Sequence, residues 1–152
     1  MKILLADKDV QRASQYKVWL AKNGHTVVLS HTDFDCVKIY RQISRAAHKN
    51  KNKNTLPTPP SFDVVIIGDN MSDSKAVDIA KKIFSINPFQ RVILTSNHIL
   101  STFYDALRQL RVSVEVLQYP VSSTMLVNRV KGSEFQDRLD KINSRIKVFD
   151  YN

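Results

Sequence analysis

Apolar residues occur along this chain in short continuous runs, separated by longer stretches with helical periodicity. Such runs predict buried strands, because both faces of a covered parallel sheet are packed against protein. The runs lie at Lys2–Ala6, His25–Ser30, Phe62–Ile67, Arg91–Thr95 and Ser113–Leu117. Helices are expected over Val10–Asn23, from Thr32 or Asp33 through Ile43, over Lys75–Ser85, around Ser101–Leu110, and from Ser122–Thr124 onward.

The regular alternation of strand and helix indicates a parallel sheet covered by helices on both faces. Five such units in about 130 residues predict an α/β, flavodoxin-like, doubly wound sheet, since an eight-fold barrel needs roughly twice that length. Residues 1–131 would form this domain, and residues 132–152 a C-terminal helical extension. Residues 48–60, HKNKNKNTLPTPP, predict a flexible, basic and proline-rich loop, because they cannot bury apolar surface.

Composition excludes several classes of protein. The single cysteine, Cys36, rules out an internal disulfide framework and any multi-cysteine metal site. No run of about 18 apolar residues is present, so we expect no membrane span and a cytoplasmic location. His25 and His31 would meet only across strand ends, which is weak support for a metal site.

Chemistry in such sheets is found where the strands end, at their carboxyl edge. The residues expected there are Asp7-Lys8-Asp9, Gly68-Asp69, Thr95-Ser96 and Tyr119-Pro120. With their flanking segments KILLADKD, DVVIIGDNM, RVILTS and LQYPV, they resemble the receiver domains of response regulators, of the chemotaxis-regulator type. The resemblance implies a site in which acids and an acceptor aspartate hold Mg²⁺, a lysine contacts the phosphoryl group, and a threonine or serine senses it.

Several positions of that site depart from the family pattern. Lys8 stands where a second metal-binding acid is expected, and an ammonium group has no lone pair for Mg²⁺. Gly68 stands at the acceptor position, five residues after Asp63, and offers no nucleophile. Tyr119 replaces the phosphate-contacting lysine, and Val116 replaces the switch aromatic.

The pattern keeps Asp7, Thr95 and Pro120 but lacks its reactive groups, which is typical of a pseudo-receiver. We therefore expect a stand-alone, non-enzymatic signalling domain that acts through protein–protein contacts without aspartyl phosphorylation. The alternative is a phosphorelay receiver that uses Asp69, with Asp7 and Asp9 as metal-binding partners and Mg²⁺ as cofactor. A one-residue slip of the third strand would bring Asp69 into the site.

Lys8 has a possible role at the acidic site. Beside Asp7 its ammonium group would replace the metal cation and hold the site in one state, although an ordinary surface lysine is the simpler interpretation.

The C-terminal extension bears on partners. Its apolar residues recur at heptad spacing and predict either a homodimer, a contact with a partner helix, or a helix that folds back on the domain. These residues are Phe135, Leu139, Ile142, Ile146 and Phe149.

The net charge of +9 is concentrated in the first third of the chain, where residues 1–54 hold eleven Lys/Arg and four Asp. A basic, nucleic-acid-associated regulatory module is therefore a further alternative. Without a base-reading motif, such binding would be weak, salt-sensitive and non-specific.

Overall fold

The computed structural model describes residues 1–49, 61–68, 76–96 and 114–132. Within these ranges the chain forms five strands and four helices. The strands are β1 (Lys2–Ala6), β2 (Thr26–Ser30), β3 (Val64–Gly68), β4 (Val92–Ser96) and β5 (Glu115–Gln118). The helices are α1 (Val10–Lys22), α2 (Asp33–Lys49), α3 (Ala76–Ile86) and α4 (Ser123–Lys131). The helix expected around residues 101–110 lies outside the described residues.

The predicted strands are all present, with bounds that differ from the expected ones by two residues at most. β3 begins at Val64 rather than Phe62, which is fully buried ahead of the strand with its ring stacked 6.0 Å from that of Tyr40. α2 continues to Lys49, beyond the expected end near Ile43. It therefore takes in the first two residues of the segment that was predicted as a loop.

The strands form one parallel sheet with the order β2-β1-β3-β4-β5. The chain winds outward from β1 to β2, returns to β3 on the other side of β1, and continues to β4 and β5. This order confirms the predicted flavodoxin-like, doubly wound fold. The change of direction between β1 and β3 leaves a crevice at the carboxyl edge, where ligand sites of such folds lie.

Each face of the sheet has its own apolar core. Alternate residues of β1 and β3 point to opposite faces, as strand geometry requires. Leu4 and Ile67 pack with α2 and α3 on one face, whereas Leu5 and Ile66 pack with α1 and α4 on the other. Burial of these runs on both faces explains why they are apolar throughout.

Arg91 fixes the end of α4 against the sheet. Its guanidinium donates to both carboxylate oxygens of Glu115, at 2.7 and 3.0 Å, and to the carbonyl of Val130 at 2.6 Å. It also donates to the carbonyl of Arg129. A cation at a helix C-terminus satisfies carbonyls that lack intrahelical partners, so this contact ties α4 to β4 and β5.

Over the part of the chain that the structure describes, no helix combines the length and the apolar character needed to cross a membrane.

Candidate functional site

The predicted site residues that the structure describes lie along one edge of the sheet. Gly68, the last residue of β3, is paired directly with Thr95 of β4. Asp7 follows β1, and its N–H donates to the carbonyl of Ser30 at 3.0 Å. Tyr119 follows β5, where its N–H donates to the carbonyl of Ser96 at 3.0 Å. The ladders therefore hold Asp7 and Tyr119 at the sheet edge through their backbones.

Side-chain alternation determines which of these positions share a face. Val64 and Ile66 belong to the core beneath α1 and α4, as does Ile93 of β4. Because side chains alternate between the two faces, position 68 lies on the same face as Ile66, and Thr95 lies on the same face as Ile93. The glycine therefore occupies the position whose side chain would point toward α1. Asp69, the alternative acceptor, lies outside the described residues.

Asp7 is buried and is paired with a residue that the sequence analysis did not select. Its carboxylate is 1% exposed and accepts two hydrogen bonds from Arg12, from Nε to Oδ2 at 2.7 Å and from Nη2 to Oδ1 at 2.9 Å. The N–H of Asp9 also donates to Oδ1, at 2.9 Å. Charge-assisted, bidentate pairs of this kind are among the strongest hydrogen-bonded contacts in proteins. Both oxygens of Asp7 are thus already engaged.

The start of α1 places Arg12 in this position. Asp9 is the N-cap, and its Oδ1 accepts from the N–H of Arg12 at 3.1 Å. This cap sets the first turn of the helix so that Arg12 lies over the sheet edge. The hydrogen bond to Asp7 is the main reason that the pKa of the Arg12 guanidinium is raised. Lys8, by contrast, is exposed, so the cation beside Asp7 is Arg12.

Tyr119 and Thr95 complete the arrangement. The guanidinium carbon of Arg12 lies 4.5 Å from the centroid of the Tyr119 ring, within cation–π distance. The Tyr119 hydroxyl is 2.8 Å from Oγ1 of Thr95, which is 1% exposed. Burial is the main reason that the pKa of Tyr119 is raised, so the phenol stays neutral. We call Asp7, Arg12, Thr95 and Tyr119 the corner network.

The other predicted switch positions make no comparable contacts. Val116 lies within β5, opposite Leu94, and carries no aromatic ring. Pro120 follows Tyr119 through a cis peptide bond. The apolar stripe from Phe135 to Phe149 lies outside the described residues.

The described residues at this edge do not fit Mg²⁺, the cofactor that the receiver resemblance implies. A hard divalent cation needs several oxygen ligands with free lone pairs. Asp7 gives both oxygens to N–H donors, Lys8 offers none, and Gly68 has no side chain. A search of the described residues alone finds no group of three or more His, Cys, Asp or Glu that could hold a metal.

The two histidines considered as a metal pair are separated. His25 precedes β2 and His31 follows it, so the length of the strand, roughly 17 Å, lies between them. Nδ1 of His31 lies 2.9 Å from the carbonyl oxygen of Asp7. His31 therefore supports the loop that carries Asp7.

Comparison with solved structures identifies the fold as that of receiver domains. A response regulator receiver domain protein from Clostridium thermocellum is similar with a TM-score of 0.68 and 23% sequence identity, over 91% of this chain and 97% of that one. A CheY-like receiver domain protein from Methanospirillum hungatei has a TM-score of 0.68 and 14% identity over the same shares. For the chemotaxis protein CheY4 of Vibrio cholerae the values are 0.65 and 15%, over 86% of this chain and 95% of that one.

No protein-family model matches the chain, and no curated protein matches it either. The structural likeness therefore establishes a CheY-like α/β fold, and the function has to be argued from the residues at the sheet edge.

Proposed function

We propose that the chain is a receiver-like signalling domain that acts through protein contacts and does not use aspartyl phosphorylation. The observation that supports this most strongly is the bidentate pair between Arg12 and Asp7. In this proposal the guanidinium takes the place of the divalent cation that a working receiver would bind. The domain is a binding module and not an enzyme.

The requirements of phosphoryl transfer support the proposal. The reaction needs a nucleophile, a metal ion that neutralises the phosphoryl oxygens, and positive groups that stabilise the developing charge. Gly68 has no nucleophilic atom, and both oxygens of Asp7 already accept hydrogen bonds, from Arg12 and Asp9. At the position of the phosphate-contacting lysine, Tyr119 presents a neutral phenol, whose pKa burial raises further. Each required group is thus replaced by one with a different role.

The corner network also supports a fixed signalling state. The Tyr119 hydroxyl is hydrogen-bonded to Thr95, the residue that senses phosphate in the resembled family. Arg12 packs on the same tyrosine ring and binds Asp7 at its other side. A continuous set of contacts therefore joins β1, α1, β4 and β5 without a ligand. In this proposal the contacts hold the sheet edge in one signalling state. Partner binding is then controlled by the concentration of the protein and not by phosphorylation.

A phosphodonor experiment tests the proposal against the alternative that uses Asp69. Wild-type protein and Asp69→Asn are incubated with acetyl phosphate and Mg²⁺, and their intact masses are measured. We expect no added phosphoryl group in either protein. A stoichiometric adduct on the wild type that is absent from Asp69→Asn would overturn the proposal and support a phosphorelay receiver.

We further propose that the C-terminal stripe mediates homodimerisation, on the basis of its heptad spacing alone. Sedimentation of the wild type and of Leu139→Asp/Ile146→Asp tests this, and we expect a dimer that the double substitution converts to a monomer. A wild type that sediments as a monomer would contradict it.

A further inference from the structure

A groove of about 470 Å³ runs between α1 and α4, on the face of the sheet opposite α2 and α3. We call it the α1–α4 groove; its lining includes Trp19, Lys22, Asn23, Thr124, Asn128 and Lys131. The hydrogen bonds from Arg91 to carbonyls in the last turn of α4 hold one wall in place. Packing of Trp19 against the core beneath α1 fixes the other.

The two helices that form the walls of the groove carry only basic charged residues. α1 contains Arg12, Lys17 and Lys22 and no acidic residue, and α4 contains Arg129 and Lys131 and no acidic residue. The helices on the opposite face are different, because both α2 and α3 carry aspartates in their first turn. Arg12 is paired with Asp7, whereas Lys17, Lys22 and Lys131 are exposed and have no acidic residue on their own helix.

Lys131 also acts on His25, which follows α1. Burial is the main reason that the pKa of His25 is lowered; the charges of the amino terminus and Lys131 lower it further, and Asp63 opposes them. Lys131 and Lys22 both line the groove and are exposed. An anionic group placed between them would gain favourable interactions with both lysines.

The apolar part of the lining consists of Trp19 and Val127, and the other lining residues are polar or charged. Trp19 is half-buried, with its ring centroid 5.6 Å from that of Tyr16, and Val127 is buried beside it. The amide of Asn23 donates to the carbonyl of Trp19 at 2.9 Å and holds that wall in place. A half-buried tryptophan with polar and charged residues around it matches the arrangement of protein interfaces, in which an apolar anchor is surrounded by a polar rim.

We propose that the α1–α4 groove binds an acidic segment of a partner protein, with an apolar side chain of that segment against Trp19 and its carboxylates near Lys22 and Lys131. This proposal rests on the proposed function, since a domain that signals through contacts needs a partner surface. A nucleic acid fits the groove less well. Binding to a phosphate backbone draws its affinity from many cationic contacts, whereas two lysines line this groove.

Trp19 allows a direct test, because it is the only tryptophan of the chain. The probe is a short peptide that alternates glutamate and phenylalanine, and its counterpart carries glutamine in place of glutamate. We expect the acidic peptide to change the emission of Trp19 in the full-length protein in a saturable way. The glutamine peptide should bind at least about tenfold more weakly, since the charges provide much of the selectivity.

Paired charge reversals locate the site. Lys22→Glu/Lys131→Glu should weaken binding of the acidic peptide by about tenfold or more. Lys81→Glu/Lys82→Glu changes the net charge equally, at exposed positions of α3 on the other face, and should leave the affinity within about twofold. Circular dichroism checks that both variants are folded.

Several results would overturn the proposal. They are an unchanged Trp19 emission, an equal loss of affinity in both double variants, and displacement of the peptide by equimolar duplex DNA. A further contrary result has two parts: the wild type binds no peptide, and the emission of Trp19 shifts in Lys22→Glu/Lys131→Glu without peptide. This result would indicate that residues 133–152 of the same chain occupy the groove. A phosphate adduct in the intact-mass experiment would overturn the proposed function without affecting these measurements.

Discussion

Replacing Arg12 by methionine is the most informative perturbation of the corner network. Methionine keeps an unbranched apolar stem that can cover the Tyr119 ring, but it removes the charge and both hydrogen bonds to Asp7. The carboxylate, which is 1% exposed, then keeps one described partner, the N–H of Asp9. The variant therefore leaves a buried negative charge without its cation.

The expected cost follows from the burial of the two partners. Removing one member of a fully buried ion pair costs about 3–5 kcal/mol. Arg12 is 23% exposed, so water reaches the site and we expect a smaller loss, about 2–3 kcal/mol, in the free energy of unfolding. For a chain of this length, that corresponds to a fall in Tm of about 5–10 °C.

Urea unfolding at neutral pH measures this loss, with Lys17→Met as the matched control. Lys17 is an exposed cation on the same helix, and its substitution should change the stability by no more than about 0.5 kcal/mol. The double variant Asp7→Asn/Arg12→Met should recover part of the loss, because it also removes the unpaired charge. Equal stabilities of Arg12→Met and Lys17→Met, or a double variant that is no more stable than Arg12→Met, would contradict this prediction.

Other contacts give further predictions. Tyr119→Phe keeps the ring but removes a partner of the buried Thr95 hydroxyl, and should lower the free energy of unfolding by about 1 kcal/mol; an unchanged urea midpoint would contradict this. Gln90→Leu removes a buried amide that accepts from the Tyr40 hydroxyl at 2.7 Å and donates to two backbone carbonyls. We therefore expect the free energy of unfolding to fall by about 2 kcal/mol in the same assay, and an unchanged value would contradict this. Burial raises the pKa of the Cys36 thiol to about 12. A disulfide reagent at mildly alkaline pH should therefore label the native protein far more slowly than the urea-unfolded chain, and equal rates would show that the thiol is accessible.

The fold could be predicted from the sequence because its signals are local. Continuous apolar runs mark strands that are buried on both faces, and Asn23-Gly24 marks the end of α1, where Gly24 has a φ of +82°. The strand order was expected from the fold class, since hydrophobic periodicity alone does not order strands. The position of Gly68 was also predictable, because it depends only on counting along β3.

Arg12 could not be selected in the same way. It lies five residues after Asp7, outside the three- and four-residue spacings of helical pairs, and the two meet because the chain turns at Asp9. A basic residue in the first turn after an acidic N-cap was the available signal. Lys8 was considered as the cation because it is adjacent in sequence, but neighbouring residues at a strand end need not face the same way.

The α1–α4 groove could not be predicted from the sequence patterns either. The helical pattern over Val10–Asn23 does not distinguish Trp19 from the other apolar residues of that helix. The place of Trp19 in the lining of a groove depends on α4 packing beside α1, and that contact joins segments far apart along the chain.

The central claim is that Arg12 occupies the place of a divalent cation beside Asp7. Calorimetric titration of the wild-type protein with Mg²⁺ tests it most directly, with a conventional receiver domain titrated in the same buffer as positive control. We expect no saturable binding at millimolar Mg²⁺. Binding of one Mg²⁺ by the wild type that Asp7→Asn abolishes would contradict it.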